Sequence, residues 1–250
     1  MKVETLRARL QSGQPAIGTW LGIPHPISAE AMASLGYHWL AVDMEHAGAS
    51  VDQAMACFLA AERHGCVPLA RLPSADPYLA RRLLDGGAQG LIIPVVESIE
   101  GWAEFAAHCL YPPHGRRGVG LSRCNGWGDS FKEYLTGFRP LLVPQIETRR
   151  GAEEAAAIAA RDEVDALFLG PYDLSADLGA AGDFANATLK AAITKVREAC
   201  TGAGKPCGIH QVAAEPAQLE ARIAEGFRFI AYSTDVIAMR AALGGVVHLL

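Results

Sequence analysis

Eight short apolar runs, several of them β-branched, recur along this chain with longer segments of helical period between them. The runs fall at 16–22 (AIGTWLG), 38–44 (HWLAVDM), 66–72 (CVPLARL), 90–96 (GLIIPVV), 141–147 (LLVPQIE), 166–170 (ALFLG), 205–210 (KPCGIH) and 227–233 (FRFIAYS). Near-continuous apolarity suits strands covered on both faces, and strand–helix alternation is the pattern of parallel βα units. Eight such units predict a closed α/β barrel, the (β/α)8 TIM barrel, which routinely occupies about 250 residues as a single domain. The chain has 250 residues, half of them apolar. A single barrel domain over 1–250 is therefore expected, with no linker, repeat or low-complexity segment to divide it.

Helices are expected near 27–36, 50–64, 75–86, 98–108, 149–161, 186–203, 213–225 and 235–247, preceded by a short amphipathic helix in MKVETLRARLQSGQ. Ser50, Ser74 with Asp76 and Pro77, and Asp235 read as helix starts, and Gly65, Gly86, Gly202 and Gly226 fall where helices should stop. One connection is long: 111–130, YPPHGRRGVGLSRCNGWGDS, rich in Gly, Pro and Arg, which marks a functional or interfacial loop.

Charge and targeting narrow the partners. The formal net charge is −5 with scattered basic residues, which offers neither a nucleic-acid footprint nor a membrane-binding basic helix. No stretch approaches the roughly 20 apolar residues of a membrane span, and the start lacks the apolar core of a signal peptide; a cytoplasmic protein acting on a small molecule is expected. The six cysteines, at 57, 66, 109, 124, 200 and 207, form no C-x-x-C pair and are expected to be reduced core residues.

In such barrels, chemistry sits at the C-terminal ends of the strands. Those positions carry Trp20, then Asp43, Glu45 and His46, then Arg71, Glu97, Glu147, Asp173, His210, Ser233 and Asp235, and the opposite ends are poor in such groups. Capping explains one or two of these, Asp235 in particular, and Glu97 reads equally as cap or site residue. Glu147 and Asp173 each lie just past a buried strand, and carboxylate oxygens there suit a hard divalent cation, Mg²⁺ or Mn²⁺ before Co²⁺ or Zn²⁺. The structural alternatives are a Glu147 salt bridge to Arg149 or Arg150 and a turn-capping Asp173. Asp43 stands three residues before His46 and could hold its imidazole as a general base is held; the alternative is a satisfied histidine at a helix entry. Arg71 at the end of an apolar strand calls for an anionic ligand or a polarised oxygen.

The motifs VDMEHA (42–47), ARLP (70–73), IIPVVES (92–98), YPPHGRRGVG (111–120), PQIET (144–148) and FLGPYDLSADLG (168–179) resemble the HpcH/HpaI class II pyruvate aldolases of the phosphoenolpyruvate/pyruvate barrel superfamily, over about residues 4–245. The resemblance implies that Glu147 and Asp173 bind the metal and that His46, paired with Asp43, is the acid–base. It implies that Arg71 grips the pyruvyl oxygen, and that the turn Gly170, Pro171, Tyr172, Asp173 offers the N–H groups of Tyr172 and Asp173 to the pyruvate carboxylate. Gln145 would be the pocket glutamine and Trp20 a wall of the mouth. A homohexamer, a trimer of dimers with exchanged last helices, is also implied, and the apolar ending VVHLL is compatible with it. Two features depart from the family pattern, both bearing on the aldehyde side: Tyr172 stands where a smaller residue is common, and 121–131 (LSRCNGWGDSF) is its own version of the long loop.

The reaction expected is reversible retro-aldol cleavage of a 4-hydroxy-2-oxo acid of the 2-keto-3-deoxy type to pyruvate and an aldehyde. A lysine Schiff base is disfavoured, since none of the lysines at 2, 132, 190, 195 and 205 falls at a C-terminal strand end. Two competing readings are a CoA-thioester lyase related to the citrate lyase β-subunit and malyl-CoA lyase, and a non-catalytic barrel that binds metal and a small acid. Arg116, Arg117 and Arg123 could meet a carboxylated aldehyde or simply be solvated or interfacial; His25 and His210 could touch hydroxyls or only pack.

Overall fold

The computed structural model describes residues 1–245. Eight parallel strands close into one barrel in sequence order: β1 (Ala16–Leu21), β2 (Trp39–Asp43), β3 (Val67–Arg71), β4 (Gly90–Ile93), β5 (Leu141–Ile146), β6 (Leu167–Leu169), β7 (Cys207–Gln211) and β8 (Phe229–Thr234). The outer helices are α1 (Val3–Gln11), α2 (Pro26–Ala33), α3 (Val51–Arg63), α4 (Pro77–Asp85), α5 (Ile99–Ala107), α6 (Phe131–Gly137), α7 (Arg149–Ala159), α8 (Pro171–Asp177), α9 (Ala187–Gly202), α10 (Pro216–Ala224) and α11 (Asp235–Gly244). All eight expected strands form. The expected helix at 235–247 is present to Gly244, and VVHLL lies outside the described residues.

Strand periodicity sorts the side chains into two cores. One parity (Leu21, Leu40, Val42, Ala70, Leu91, Leu142, Leu167, Leu169, Ile209) packs outward against the helices. The other parity fills the interior with Trp20, Trp39, Leu69, Ile92, Val143, Phe168, Phe229 and Ala231. Trp39 stacks on Phe229 at 4.4 Å between centroids, and Trp20 meets Phe168 edge-on at 5.6 Å. Each such pair adds about 1 kcal/mol beyond its burial. Glycines make room for these rings. A Cβ at Gly18 would overlap the Trp39 indole, and one at Gly208 would lie 2.8 Å from Phe168 Cδ2.

Helix α1 seals the far end of the barrel. Val3, Leu6 and Leu10 belong to the interior core. Arg7 Nε donates to Asp165 at 2.7 Å, and Asp165 in turn accepts the Leu142 N–H at 2.9 Å. One end is thereby closed, and the open end is the one with the C-terminal strand ends.

Helix starts follow local chemistry. Ser50 forms a capping box with Gln53. Asp76, rather than Ser74, caps α4 by accepting from Tyr78 and Leu79 N–H, with Pro77 in the first turn. Gly65 and Gly226 take the left-handed backbone as expected, at φ +69° and +99°, whereas Gly87 and Gly204 do so in place of Gly86 and Gly202. Strand β4 ends three residues early, because Val95 turns to φ +52°.

The long 111–130 segment folds back onto α3, α4 and α5 and contains a 3-10 stretch, Arg123–Gly128. Its arginines are engaged there: Arg116 pairs with Glu104, buried Arg117 with Asp85 at 2.6 Å, and Arg123 with Glu62. Ion pairing within the chain is therefore their observed use. The six cysteines are free thiols, all but Cys124 buried, and burial pushes Cys57 up to about 11 and Cys66 up to about 12. No helix among the described residues is long and apolar enough to cross a membrane.

Candidate active site at the open end of the barrel

The inward parity that builds the aromatic core continues upward into polar residues. From the core position Trp20 it runs to Asp43, Arg71, Gln145, Glu147, Gly170 and His210, each an even step beyond an interior residue of its own strand or at that strand's end. The sequence pattern and the barrel geometry thus aim these groups into one mouth.

Asp43 and Arg71 are register partners on neighbouring strands. Arg71 Nε donates to Asp43 Oδ1 at 3.0 Å and Nη2 donates to Oδ2 at 2.7 Å, a two-pronged pair. Asp43 Oδ1 also accepts the backbone N–H groups of Glu45 at 3.1 Å and His46 at 3.3 Å. Burial pushes the Asp43 carboxyl up, but the Arg71 hydrogen bonds and charge, with those two N–H groups, outweigh it and hold it below the usual carboxylate range.

This arrangement corrects one expectation. Asp43 does not hold the His46 imidazole; its oxygens are taken by Arg71 and by main-chain donors. The His46 side chain is 65% exposed, and its Nε2 lies 3.8 Å from Glu45 Oε2. Glu45 also stands 3.2 Å from Arg71 Nη1. Burial raises the Glu45 carboxyl, with Arg71 opposing and Glu147 reinforcing. Arg71 in turn lies over Trp20, its Cζ 4.4 Å from the ring centroid. Trp20, expected as a wall of the mouth, is 1% exposed and forms its floor.

Glu147 is 4% exposed. Its Oε1 accepts the Val95 N–H at 2.6 Å, and its Oε2 accepts from the Gln145 side-chain amide. Neither Arg149 nor Arg150 pairs with it among the ion pairs of the described residues. Burial raises its carboxyl despite those two hydrogen bonds, and the Asp173 charge adds to the rise. Gly170 provides the space: a Cβ there would lie 2.8 Å from Glu147 Oε2.

Asp173 is exposed, in the first turn of α8, a helix that starts at Pro171 and whose N-cap, Gly170, has no side chain to cap it. The N–H groups of Tyr172 and Asp173 therefore belong to an uncapped helix start. Tyr172 is exposed and meets Phe184 edge-on at 4.8 Å.

The donor set tests whether a metal fits. Among the described residues no three His, Cys, Asp or Glu side chains converge as a ligand cage. Buried Glu147 with the Asp173 charge reaching it, next to a buried Gln145 Oε1 with no partner, suits a hard cation that keeps waters or substrate oxygens for its other positions. The residues fit such an ion.

Asp235, also at a strand end, is structural. Asp235 accepts from Gly22 N–H, Ile23 N–H and Ser28 Oγ at 2.8–3.0 Å, tying the loop after β1 to α11, while Thr234 is the cap. Ser98 caps α5 beside Glu97. His25 Nδ1 caps α2. A cavity of about 640 Å³ lies on the flank, between α1, α3 and the long loop, and none of the strand-end residues lines it.

Two features went unassigned in the sequence. Glu45 was legible as the acid next to His46, but its contact with Arg71 depends on the barrel bringing together residues 26 positions apart. Val95 gives no sequence sign, since a β-branched residue is a poor candidate for positive φ.

The closed parallel barrel, with carboxylates and a guanidinium at its open end, belongs by its matches to the aldolase-type lyases. The signature of HpcH/HpaI aldolase/citrate lyase matches residues 16–242, and the chain belongs to that family. It is 40% identical over 241 residues to the hydroxypyruvate/pyruvate aldolase of Delftia acidovorans, covering 94% of this chain and 88% of that protein. It is 33% identical over 240 residues to the 5-keto-4-deoxy-D-glucarate aldolase of Shigella dysenteriae, covering 94% and 92%. Among solved structures, an HpcH/HpaI aldolase/citrate lyase family protein from Burkholderia cenocepacia superposes with a TM-score of 0.91 at 32% identity, over 98% of each chain.

Proposed function

We propose that the chain cleaves a 4-hydroxy-2-oxo acid reversibly into a 2-oxo acid donor, pyruvate or its 3-hydroxy analogue, and an aldehyde, with Mg²⁺ or Mn²⁺ held by Glu147 and Asp173. The observation that carries this reading is the buried, doubly hydrogen-bonded Glu147 facing Arg71 and Asp173 at the barrel mouth. Cleavage removes the proton of the C4 hydroxyl, breaks the C3–C4 bond and sends its electron pair toward the C2 oxygen as an enolate; protonation at C3 then releases the 2-oxo acid. A divalent cation bound there supplies Lewis-acid stabilisation of that negative charge.

Arg71 contributes a fixed positive charge at the same oxygen. Asp43 and the Trp20 face hold the guanidinium in place, so little reorganisation is needed when charge develops. Gln145 orients Glu147 through its amide. The uncapped N–H groups of Tyr172 and Asp173 receive the donor carboxylate beside Gly170 and Pro171. His46 moves the C4 hydroxyl proton, directly or through a water, and Glu45 is the acidic group nearest its ring. A cytoplasmic location and a homohexamer with exchanged last helices belong to the same reading.

Deuterium entry into the methyl group of pyruvate, followed by NMR with added metal and with chelator, tests the enolate half without an aldehyde. Metal-dependent exchange is expected. No exchange in the presence of Mg²⁺ or Mn²⁺ counts against the reading.

A further inference from the structure

His210 has no part in the reaction outlined above, yet it occupies the inner face of β7, two residues beyond interior Gly208. Its ring stands edge-on to Trp20 with centroids 6.0 Å apart, and Trp20 also carries the Arg71 guanidinium. His210 and Arg71 thus flank one indole, and the charges of Arg71 and Asp43 both reach the imidazole. The Ser233 main chain lies beside the ring. Nε2 is buried and has no hydrogen-bond partner among the described residues. Burial and the Arg71 charge hold the ring neutral, its pKa lowered to about 4.

An unsatisfied buried ring nitrogen is costly, and a leucine or valine on this face would continue the apolar interior without that cost. The atom therefore calls for a hydrogen-bonding group that arrives with the ligand. If Arg71 sits at the C2 oxygen, a side chain flanking the same indole is placed for the neighbouring carbon, C3. Pyruvate presents C–H groups there; hydroxypyruvate presents an O–H.

We propose that His210 Nε2 hydrogen-bonds a hydroxyl on C3 of the donor 2-oxo acid, and so tilts the chain toward 3-hydroxylated donors. The proposal rests on the reaction proposed above. It makes His210 a specificity-determining residue.

The test compares hydroxypyruvate with pyruvate, with metal present, as a ratio of kcat/KM for deuterium exchange and as a ratio of Kd by calorimetry. Both ratios cancel the fraction of folded protein. His210→Leu should lower the preference for hydroxypyruvate roughly tenfold, the size of one hydrogen bond lost. His210→Gln, which keeps a hydrogen-bonding end, should recover part of it. The wild type alone gives a further arm: 3-fluoropyruvate resembles the hydroxylated donor in size but lacks the O–H, and should bind roughly tenfold more weakly than hydroxypyruvate. Equal binding of these two, an unchanged ratio in His210→Leu, or turnover of pyruvate but not hydroxypyruvate by the wild type overturns the proposal. A wild type inert toward every donor overturns the proposed reaction instead.

Discussion

At the scale of single residues, the mouth is organised by competition for carboxylate oxygens. Glu147 is held by one backbone and one side-chain donor and lies under the charge of Asp173 and Arg71. Replacing it by Gln keeps the volume and removes the charge. Glu147→Gln is expected to weaken divalent-metal affinity roughly a hundredfold or more, with activity recovering only in part at high metal; a metal titration of the exchange reaction checks it. Asp43→Asn breaks the two-pronged Arg71 pair and should cost about 3 kcal/mol in urea unfolding. The pH dependence has a definite sign. The Asp43 pKa is lower in the folded state than its ordinary value of 3.8. Its contribution is therefore fully present above about pH 3.8 and is lost as pH falls through the lower folded value. The Asn variant should lack that acid-side loss.

At the scale of elements, the strands were legible because each is covered on both faces and reads as a short apolar run. The two short helices α6 and α8 were not: FKEYLTG lies inside a glycine-rich segment, and PYDLSAD reads as a turn because Pro171 and Asp173 are good turn residues too. The even-step parity of the strands makes Asp43, Arg71, Gln145 and Glu147 readable as inward residues. Their partners are not readable in the same way. Three residues separate Asp43 from His46 and 28 separate it from Arg71, yet register pairing of β2 with β3 hands the carboxylate to the arginine. The junction of β6 and α8 allows a direct test of such placement. Gly170→Ala puts a Cβ 2.8 Å from Glu147 Oε2 and 2.9 Å from its Cβ. The backbone there, φ −104°, suits alanine, so the effect should fall on the carboxylate. Metal affinity, read by calorimetry, is expected to drop roughly tenfold to a hundredfold, with a lowered thermal midpoint as well, because the Glu147 Cβ cannot swing clear.

For the whole molecule, stability and site placement share one aromatic layer. Trp20, Trp39, Phe168 and Phe229 fill the interior under the mouth, and Gly18 lets the Trp39 indole pack against β1. Gly18→Ala should destabilise the barrel by about 1–3 kcal/mol through overpacking, measured by urea unfolding. Because Trp20 carries Arg71, the displaced rings should also disturb the guanidinium, so activity should fall further than the loss of folded protein explains. The closed ring has another consequence. Since β8 pairs with β1, every strand has a neighbour on each side, and among the described residues no strand edge is left free to template aggregation or to recruit an extended peptide. Another polypeptide therefore meets the described barrel through its helices and connecting segments rather than by adding a strand.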